Sequence, residues 1–140
     1  MLRTLGGLAL ERGDFSQTKA LVLLCYLALE GAQARRYVAE LFWQDAARPL
    51  SNLSVALSHL RQGLPGIIKA DQLKVWTDVN TDVSTLLETL DKGNCSKAQV
   101  LYRGPFLHGI YSQGWSSELE EWIYQTREFL AGRFQLCLLQ

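Results

Sequence analysis

One stretch, residues 48–66 (RPLSNLSVALSHLRQGLPG), constrains this chain most, because at helical spacing it has two very different sides. One side is small, polar and free of acidic residues, and side chains of that kind fit against base edges in the DNA major groove. Pro49 and the glycines that follow predict one helix over Arg48–Gly63. An ordinary surface helix would show the same pattern, so the choice between a surface helix and a DNA-reading helix depends on the neighbouring segments. The other side is apolar and is predicted to pack on a core: Leu50, Leu53, Leu57, Leu60 and Leu64.

The charge of the chain is balanced overall but uneven along its length. Fourteen basic and fourteen acidic residues give a net charge of zero, which does not by itself indicate a polyanionic partner. Residues 31–76 carry six basic and three acidic side chains, whereas residues 81–140 carry five basic and seven acidic ones. A mildly basic front half before an acidic back half fits a DNA-contacting module joined to something else.

The cysteines and the hydropathy of the chain indicate the compartment in which it acts and the kinds of chemistry it can perform. The three cysteines form no CxxC or His/Cys cluster, so we expect reduced thiols and neither a disulfide framework nor a metal site. The apolar run Ala20–Leu29 is about half as long as a bilayer span, and the N-terminus does not resemble a signal peptide. We predict a cytoplasmic protein that has no membrane partner and needs no cofactor. Ser58 and His59 are adjacent on a helix and point apart, so no catalytic pair is indicated and we predict no enzyme.

The remaining segments predict a mainly helical chain with small β elements. A glycine-interrupted strand over Leu2–Leu10 precedes an apolar helix that Ser16 can cap, and an amphipathic second helix covers Arg35–Gln44. After the Arg48–Gly63 helix the hydrophobic period changes to two, which predicts a β-hairpin over Ile67–Trp76. Three helices with short strands and a terminal hairpin are typical of a winged helix-turn-helix, which we assign to residues 1–78.

Residues 79–140 form the second predicted domain, and their pattern is again helical. Asp82 is predicted to cap the first helix. The last helix begins at about Ser116 and carries an apolar stripe that includes Trp122 and Phe134. We expect this stripe to pack against the front half of the chain. The apolar end at residues 136–139 suggests a domain that continues beyond residue 140.

Four stretches in this order resemble the Streptomyces antibiotic regulatory protein type of bacterial transcriptional activator. They are LGGLAL (5–10), KALVLLCYLAL (19–29), AELFWQD (39–45) with NLSVALSHLR (52–61), and QVLYRGPFLHG (99–109) followed by ELEEWIYQTREFL. The resemblance implies a winged helix-turn-helix followed by the start of a helical bacterial transcriptional activator domain with tetratricopeptide-like repeats. It also implies double-stranded DNA as partner, with contact to RNA polymerase and self-association through the helical part as further expectations. The chain departs from the family pattern at Ser54 and Gln62, where the family usually carries basic residues.

The candidate DNA-binding residues fall into three groups. Arginines at the two ends of the third helix suit phosphate or base contacts, and the small side chains between them suit base edges. Basic residues in the second helix and on the hairpin suit the DNA backbone. The full set is Arg35, Arg36, Arg48, Ser51, Asn52, Ser54, Val55, Ser58, His59, Arg61, Lys69 and Lys74. The alternative is a protein-interaction adaptor whose winged helix does not bind DNA, which the neutral net charge and the two departures favour.

Overall fold

The computed structural model describes residues 1–11, 17–112 and 114–139. Ser16, the predicted cap, lies outside these ranges. The sequence also predicts a turn over residues 11–14, of which only residue 11 is described. Six helices and two small antiparallel sheets make up the described part, which confirms a mainly α chain with small β elements. In chain order they are β1 Leu2–Arg3, β2 Ala9–Leu10, α1 Thr18–Glu30, β3 Gln33–Ala34, α2 Arg35–Phe42, α3 Pro49–Gly63, β4 Ile68–Ala70, β5 Lys74–Thr77, α4 Asp82–Asp91, α5 Cys95–Leu101 and α6 Ser117–Leu138.

The predicted hairpin is present as β4 and β5, with its second strand ending one residue later than expected. Sequence reasoning missed β3, which precedes α2 and pairs with β5, so that β5 is the central strand of three. Asp71 closes the hairpin turn, because its Oδ1 accepts the backbone N–H groups of Lys74 (2.7 Å) and Leu73 (2.8 Å). These two hydrogen bonds, that of Lys74 first, hold the pKa of the Asp71 carboxyl below its usual value.

Helix α1 is the central buried helix, as its nearly continuous apolar run predicts. All eight residues of Ala20–Leu27 are buried. The Cys25 thiol lies fully enclosed among them, and burial raises its pKa. Helix α3 and strand β5 pack against this helix. Helix α2 meets it through the rings of Tyr26 and Phe42, whose centroids lie 5.9 Å apart.

The stripe of α6 packs against the front half of the chain, as predicted. Trp122 lies with its ring centroid 4.9 Å from that of Tyr26 in α1 and 5.7 Å from that of Phe106 in the loop after α5. Leu119, Ile123 and Leu130 of the same helix belong to one hydrophobic core that also contains α1, α2 and α3. The front and back halves therefore share a core.

The N-terminal strand also joins the two halves. The Leu2 N–H donates to Asn80 O at 2.7 Å, and the Leu107 N–H donates to Thr4 O at 2.7 Å. The chain runs so close to the loop after α5 at this point that a Cβ on Gly104 would lie 3.0 Å from the Cα of Gly6. A side chain at position 104 would force the backbone apart.

Asp82 is not the N-cap of α4, which corrects the sequence prediction. Thr81 is the cap, and its Oγ1 accepts the Ser84 N–H at 3.2 Å. The Asp82 carboxylate is buried and turns toward the N-terminal strand instead. It accepts the Thr4 N–H (2.9 Å), the Thr4 hydroxyl (2.7 Å) and the Leu5 N–H (2.9 Å). Those donors are buried and have no other acceptor among the described residues. The carboxylate therefore satisfies buried hydrogen-bond donors of the strand and does not cap the helix.

The expectation of three reduced thiols is wrong for one pair, because Cys95 and Cys137 form a disulfide. Cys95 begins α5 and Cys137 lies near the end of α6, with their Cα atoms 5.9 Å apart. The two cysteines are 42 residues apart in sequence, and such a spacing contains no information about which helix ends meet. The pair anchors the last turns of α6 to α5.

Reduction of this disulfide is expected to lower the free energy of unfolding by about 3 kcal/mol, because the bond restricts a long loop in the unfolded chain. Urea denaturation with and without a phosphine reductant measures the difference. The double variant Cys95→Ser/Cys137→Ser is the control, and its midpoint should match the reduced protein and ignore the reductant. An unchanged midpoint after reduction would contradict the contribution assigned to the bond.

Candidate nucleic-acid interface

Helix α3 presents one buried side and one open side. Pro49 occupies its first turn, and Arg48 lies in the cap position, so the helix begins one residue later than predicted. Its buried residues are Leu53, Ala56, Leu57 and Leu60. Leu50 is 45% exposed, which corrects its assignment to the core, because the buried stripe begins only one turn further on.

Five of the predicted site residues of α3 lie on its open side. All five are solvent-exposed, and an exposed valine (53%) among them offers apolar contact to a thymine methyl group. The four small side chains among these five residues leave room for the helix to approach base edges closely. The five are Ser51, Ser54, Val55, Ser58 and Arg61.

Asn52 and His59 lie at the edge of this face, half-buried beside the start of α1. Both line a cavity of about 340 Å³, together with Gln17 and Trp43. His59 Nδ1 is 3.0 Å from the side-chain oxygen of Gln17, which can only accept a hydrogen bond. Nδ1 therefore carries the proton in this contact. The other ring nitrogen, Nε2, remains available to a bound group.

Lys19 is a residue near this edge that sequence reasoning missed. Its ammonium group lies 5.0 Å from the ring centroid of Trp43 and 5.5 Å from that of Trp115. Burial lowers the pKa of Lys19. The two tryptophans come from distant parts of the chain, and no local pattern indicates that they enclose one cation.

The six basic residues of the predicted site differ in whether they contact another group of the protein. Arg35 is bound to the hairpin, since its side chain donates to Asp71 O at 3.3 Å and its backbone N–H donates to Leu73 O at 2.8 Å. Lys69 pairs with the carboxylate of Asp78. Within the described ranges, no acidic side chain lies within 4.0 Å of the charged groups of the other four: Arg36, Arg48, Arg61 and Lys74.

The helices are of two kinds, which differ in how their N-termini are capped. Helices α1, α2 and α3 have no side-chain cap and no acidic residue in the first turn. At the starts of α2 and α3, arginines stand instead, at positions 35, 36 and 48. Helices α4, α5 and α6 are capped by Thr81, Asn94 and Ser116. Uncapped N–H groups beside arginines are suited to an anion such as a phosphate.

The comparisons with known proteins give no family. No family model, curated protein or solved structure matches the chain. The functional assignment therefore rests on the geometry of α2, α3 and the hairpin, and on the four-stretch resemblance.

The described ranges lack two further features. None of the helices there is long and apolar enough to cross a bilayer. No group of three or more His, Cys, Asp or Glu side chains in that part of the chain could hold a metal ion.

Proposed function

We propose that this chain binds double-stranded DNA sequence-specifically, as the DNA-binding part of a bacterial transcriptional activator of the Streptomyces antibiotic regulatory protein type. In this proposal residues 1–78 are a winged helix-turn-helix, with α3 in the major groove and the β4–β5 hairpin as the wing. Residues 79–140 begin a helical activator domain with tetratricopeptide-like packing. The contact of α2 with α3 and the hairpin directly after α3 support this arrangement.

The observation that carries the proposal is the contrast between the two kinds of helix N-terminus. Uncapped N–H groups with adjacent arginines destabilise an isolated helix, because the positive end of the dipole meets more positive charge. A DNA phosphate at the start of α2 and another at the start of α3 would relieve both conflicts. The capped helices of the back half have no such requirement.

The predicted residues take different roles under this proposal. Arg36, Arg48, Arg61 and Lys74 contact phosphates, because within the described ranges they form no ion pair. Ser51, Ser54, Val55 and Ser58 face base edges, and Asn52 and His59 reach only bases at the edge of the contact. Arg35 holds the hairpin turn against α2, and Lys69 forms a surface ion pair with Asp78.

The location of the protein and its further partner are part of the same proposal. The chain acts in the cytoplasm without a cofactor or catalytic activity, with RNA polymerase as a further partner of the activator. Reducing systems of the cytoplasm keep thiols reduced. The proposed location therefore implies the thiol form of Cys95 and Cys137, which is the less stable form described above.

A protein-interaction adaptor is the second candidate function, and one observation favours it. The ion pair between Lys69 and Asp78 removes a cation from the wing, on a chain whose net charge is already zero. Ser54 and Gln62 add no charge to α3. An adaptor would use the same exposed face of α3 for a protein partner.

Salt dependence separates the two functions. Four phosphate contacts are expected to make log affinity fall with log salt at a slope of about −3.6, because each contact releases about 0.9 counterion. Fluorescence anisotropy with duplexes selected from a random library measures the slope. Weak or salt-independent association even at low salt would rule out the DNA proposal in favour of the adaptor.

The variant Arg61→Ala is expected to reduce that slope by about one unit on every duplex. Arg103→Ala is the matched control, since Arg103 is an exposed arginine in the loop after α5, outside the proposed contact. Equal effects of the two substitutions would show that the salt dependence reflects general charge and not the α3 face.

A further inference from the structure

The last turn of α6 is attached to the rest of the protein mainly through one side chain. One turn earlier, Phe134 stacks on Tyr102, with the two ring centroids 4.3 Å apart. After Phe134, Cys137 is the one buried residue of this helix in the described part of the chain. Leu136 and Leu138 on the same turn are 61% and 47% exposed. The disulfide of Cys137 is therefore the main attachment of this turn.

The two bonded cysteines are held close to each other by contacts other than the bond. Helix α5 is fixed in the fold by Ala98, which is fully buried. Helix α6 is fixed one turn before its cysteine by the Phe134 stack and by the ion pair of Arg133 with Asp91 at 2.8 Å. The Cα atoms of the cysteines are 5.9 Å apart, within the usual range for disulfides. A reduced pair therefore stays near this distance and can form the bond again without refolding.

The third cysteine differs from this pair in its access to solvent. Cys25 is 0% exposed in α1, and burial raises the pKa of its thiol, so the thiol stays protonated and unreactive. Cys95 is half-buried at the start of α5. A small oxidant therefore reaches Cys95 and not Cys25, and Cys137 is the thiol next to Cys95.

We propose that Cys95 and Cys137 form a reversible redox switch, which fixes the last turn of α6 on α5 when oxidised and releases that turn when reduced. The oxidant is a hydroperoxide, of which hydrogen peroxide is the simplest. The thiol form is the resting form, a point that rests on the cytoplasmic location in the proposed function. The switch itself does not depend on DNA binding.

The oxidation takes place in two balanced steps. The Cys95 sulfur attacks one oxygen of the peroxide, so that an S–O bond forms and the O–O bond breaks, and the other oxygen leaves as water with the thiol proton. The Cys137 sulfur then attacks the Cys95 sulfur, so that the S–S bond forms and the hydroxyl group leaves as a second water with the Cys137 proton. The two thiols lose two electrons, and one peroxide gains them. A dithiol reductant reverses the change by two exchange steps and becomes a disulfide itself.

Hydrogen exchange followed by mass spectrometry tests the effect of the switch on the helix. The N–H groups of residues 135–138 are expected to exchange at least about tenfold faster in the native reduced protein than in the oxidised protein, because the reduced turn opens locally. In the reduced protein they should also exchange more than about a hundredfold faster than those of residues 20–27 in the buried helix α1. Equal exchange of residues 135–138 in the two forms would overturn the inference. Exchange no faster than that of residues 20–27 would do so too, since the bond would then stabilise only the whole chain.

Two variants identify the thiols that carry the response. Cys95→Ser cannot form the bond, so its residues 135–138 should exchange rapidly with and without peroxide. Cys25→Ala is the matched control, because it removes the enclosed thiol and leaves the pair intact, and it should keep the response to peroxide. A response that persists in Cys95→Ser, or disappears in Cys25→Ala, would contradict the assignment to the pair.

Reversibility is tested on the native reduced protein with hydrogen peroxide and then dithiothreitol. Peptide mapping is expected to show peptides joined through Cys95 and Cys137, while Cys25 still reacts with an alkylating reagent after unfolding. Dithiothreitol should open the bond again without denaturant. A bond that opens only in denaturant would be a permanent structural disulfide and would overturn the inference, as would sulfinic acid at Cys95 without a bond. Neither measurement uses DNA, so a failure here leaves the proposed function standing, and a failure to bind DNA leaves the switch standing.

Discussion

The variant Asp82→Asn is expected to lower the free energy of unfolding of the whole chain by about 3–5 kcal/mol, with a single transition retained. The Asp82 carboxylate is 5% exposed and accepts three hydrogen bonds from Thr4 and Leu5. An asparagine has nearly the same size, but its NH₂ group cannot accept from the N–H groups it would face. At least one buried donor of the N-terminal strand is then left without a partner, and its desolvation is not compensated.

Urea denaturation followed by circular dichroism and by tryptophan fluorescence measures this effect. Asp78→Asn is the matched control, because Asp78 carries the same group four residues earlier, where it is exposed and makes only a surface ion pair with Lys69. That control should lose no more than about 1 kcal/mol. Similar losses in the two variants would show that the buried hydrogen bonds to Thr4 and Leu5 are not the source of the stability.

The variant Trp122→Ala is expected to cost about 3–5 kcal/mol and to lower the melting temperature of the entire chain. The indole fills the space between Tyr26 of the front half and Phe106 of the back half, so its removal leaves a cavity that both halves line. Tyr124→Ala, two residues further along α6 and 57% exposed, should change stability by no more than about 0.5 kcal/mol.

Differential scanning calorimetry shows whether the loss is shared. A separate transition that keeps the wild-type melting temperature would identify an independently folding front half and contradict the shared core. The same experiment tests the predicted boundary between residues 78 and 79.

Local patterns were sufficient to predict the elements but not the partners of buried polar groups. The Pro49 start and Gly63 end of α3, and the change of hydrophobic period after it, depend on residues that are close in sequence. Asp82 was misassigned because a carboxylate beside a helix start has the same local pattern whether it caps the helix or accepts from a strand 78 residues away. The Cys95–Cys137 bond was missed for the same reason.

The sequence predicts the outline of the candidate site, but the partners of its individual residues depend on the three-dimensional fold. Helical spacing alone placed Ser51, Val55 and Ser58 on the open side of α3, and they are exposed. It could not show that Lys69 is paired with Asp78. It also could not show that Lys19 lies between two tryptophans, because the contact joins α1, α2 and the loop before α6.

The position of the N-terminal strand has a consequence for synthesis on the ribosome. The carboxylate that accepts the hydrogen bonds of Thr4 and Leu5 follows these two residues by 78 and 77 positions in the chain. At about 5–20 residues per second, roughly 4–15 s pass before that acceptor exists. Throughout this interval Leu2 and Leu5, both buried in the finished protein, have no native partner from the back half. A nascent chain therefore completes the packing around Thr4 and Leu5 late, and a pause in translation before Asp82 would prolong the time in which a chaperone can bind this strand.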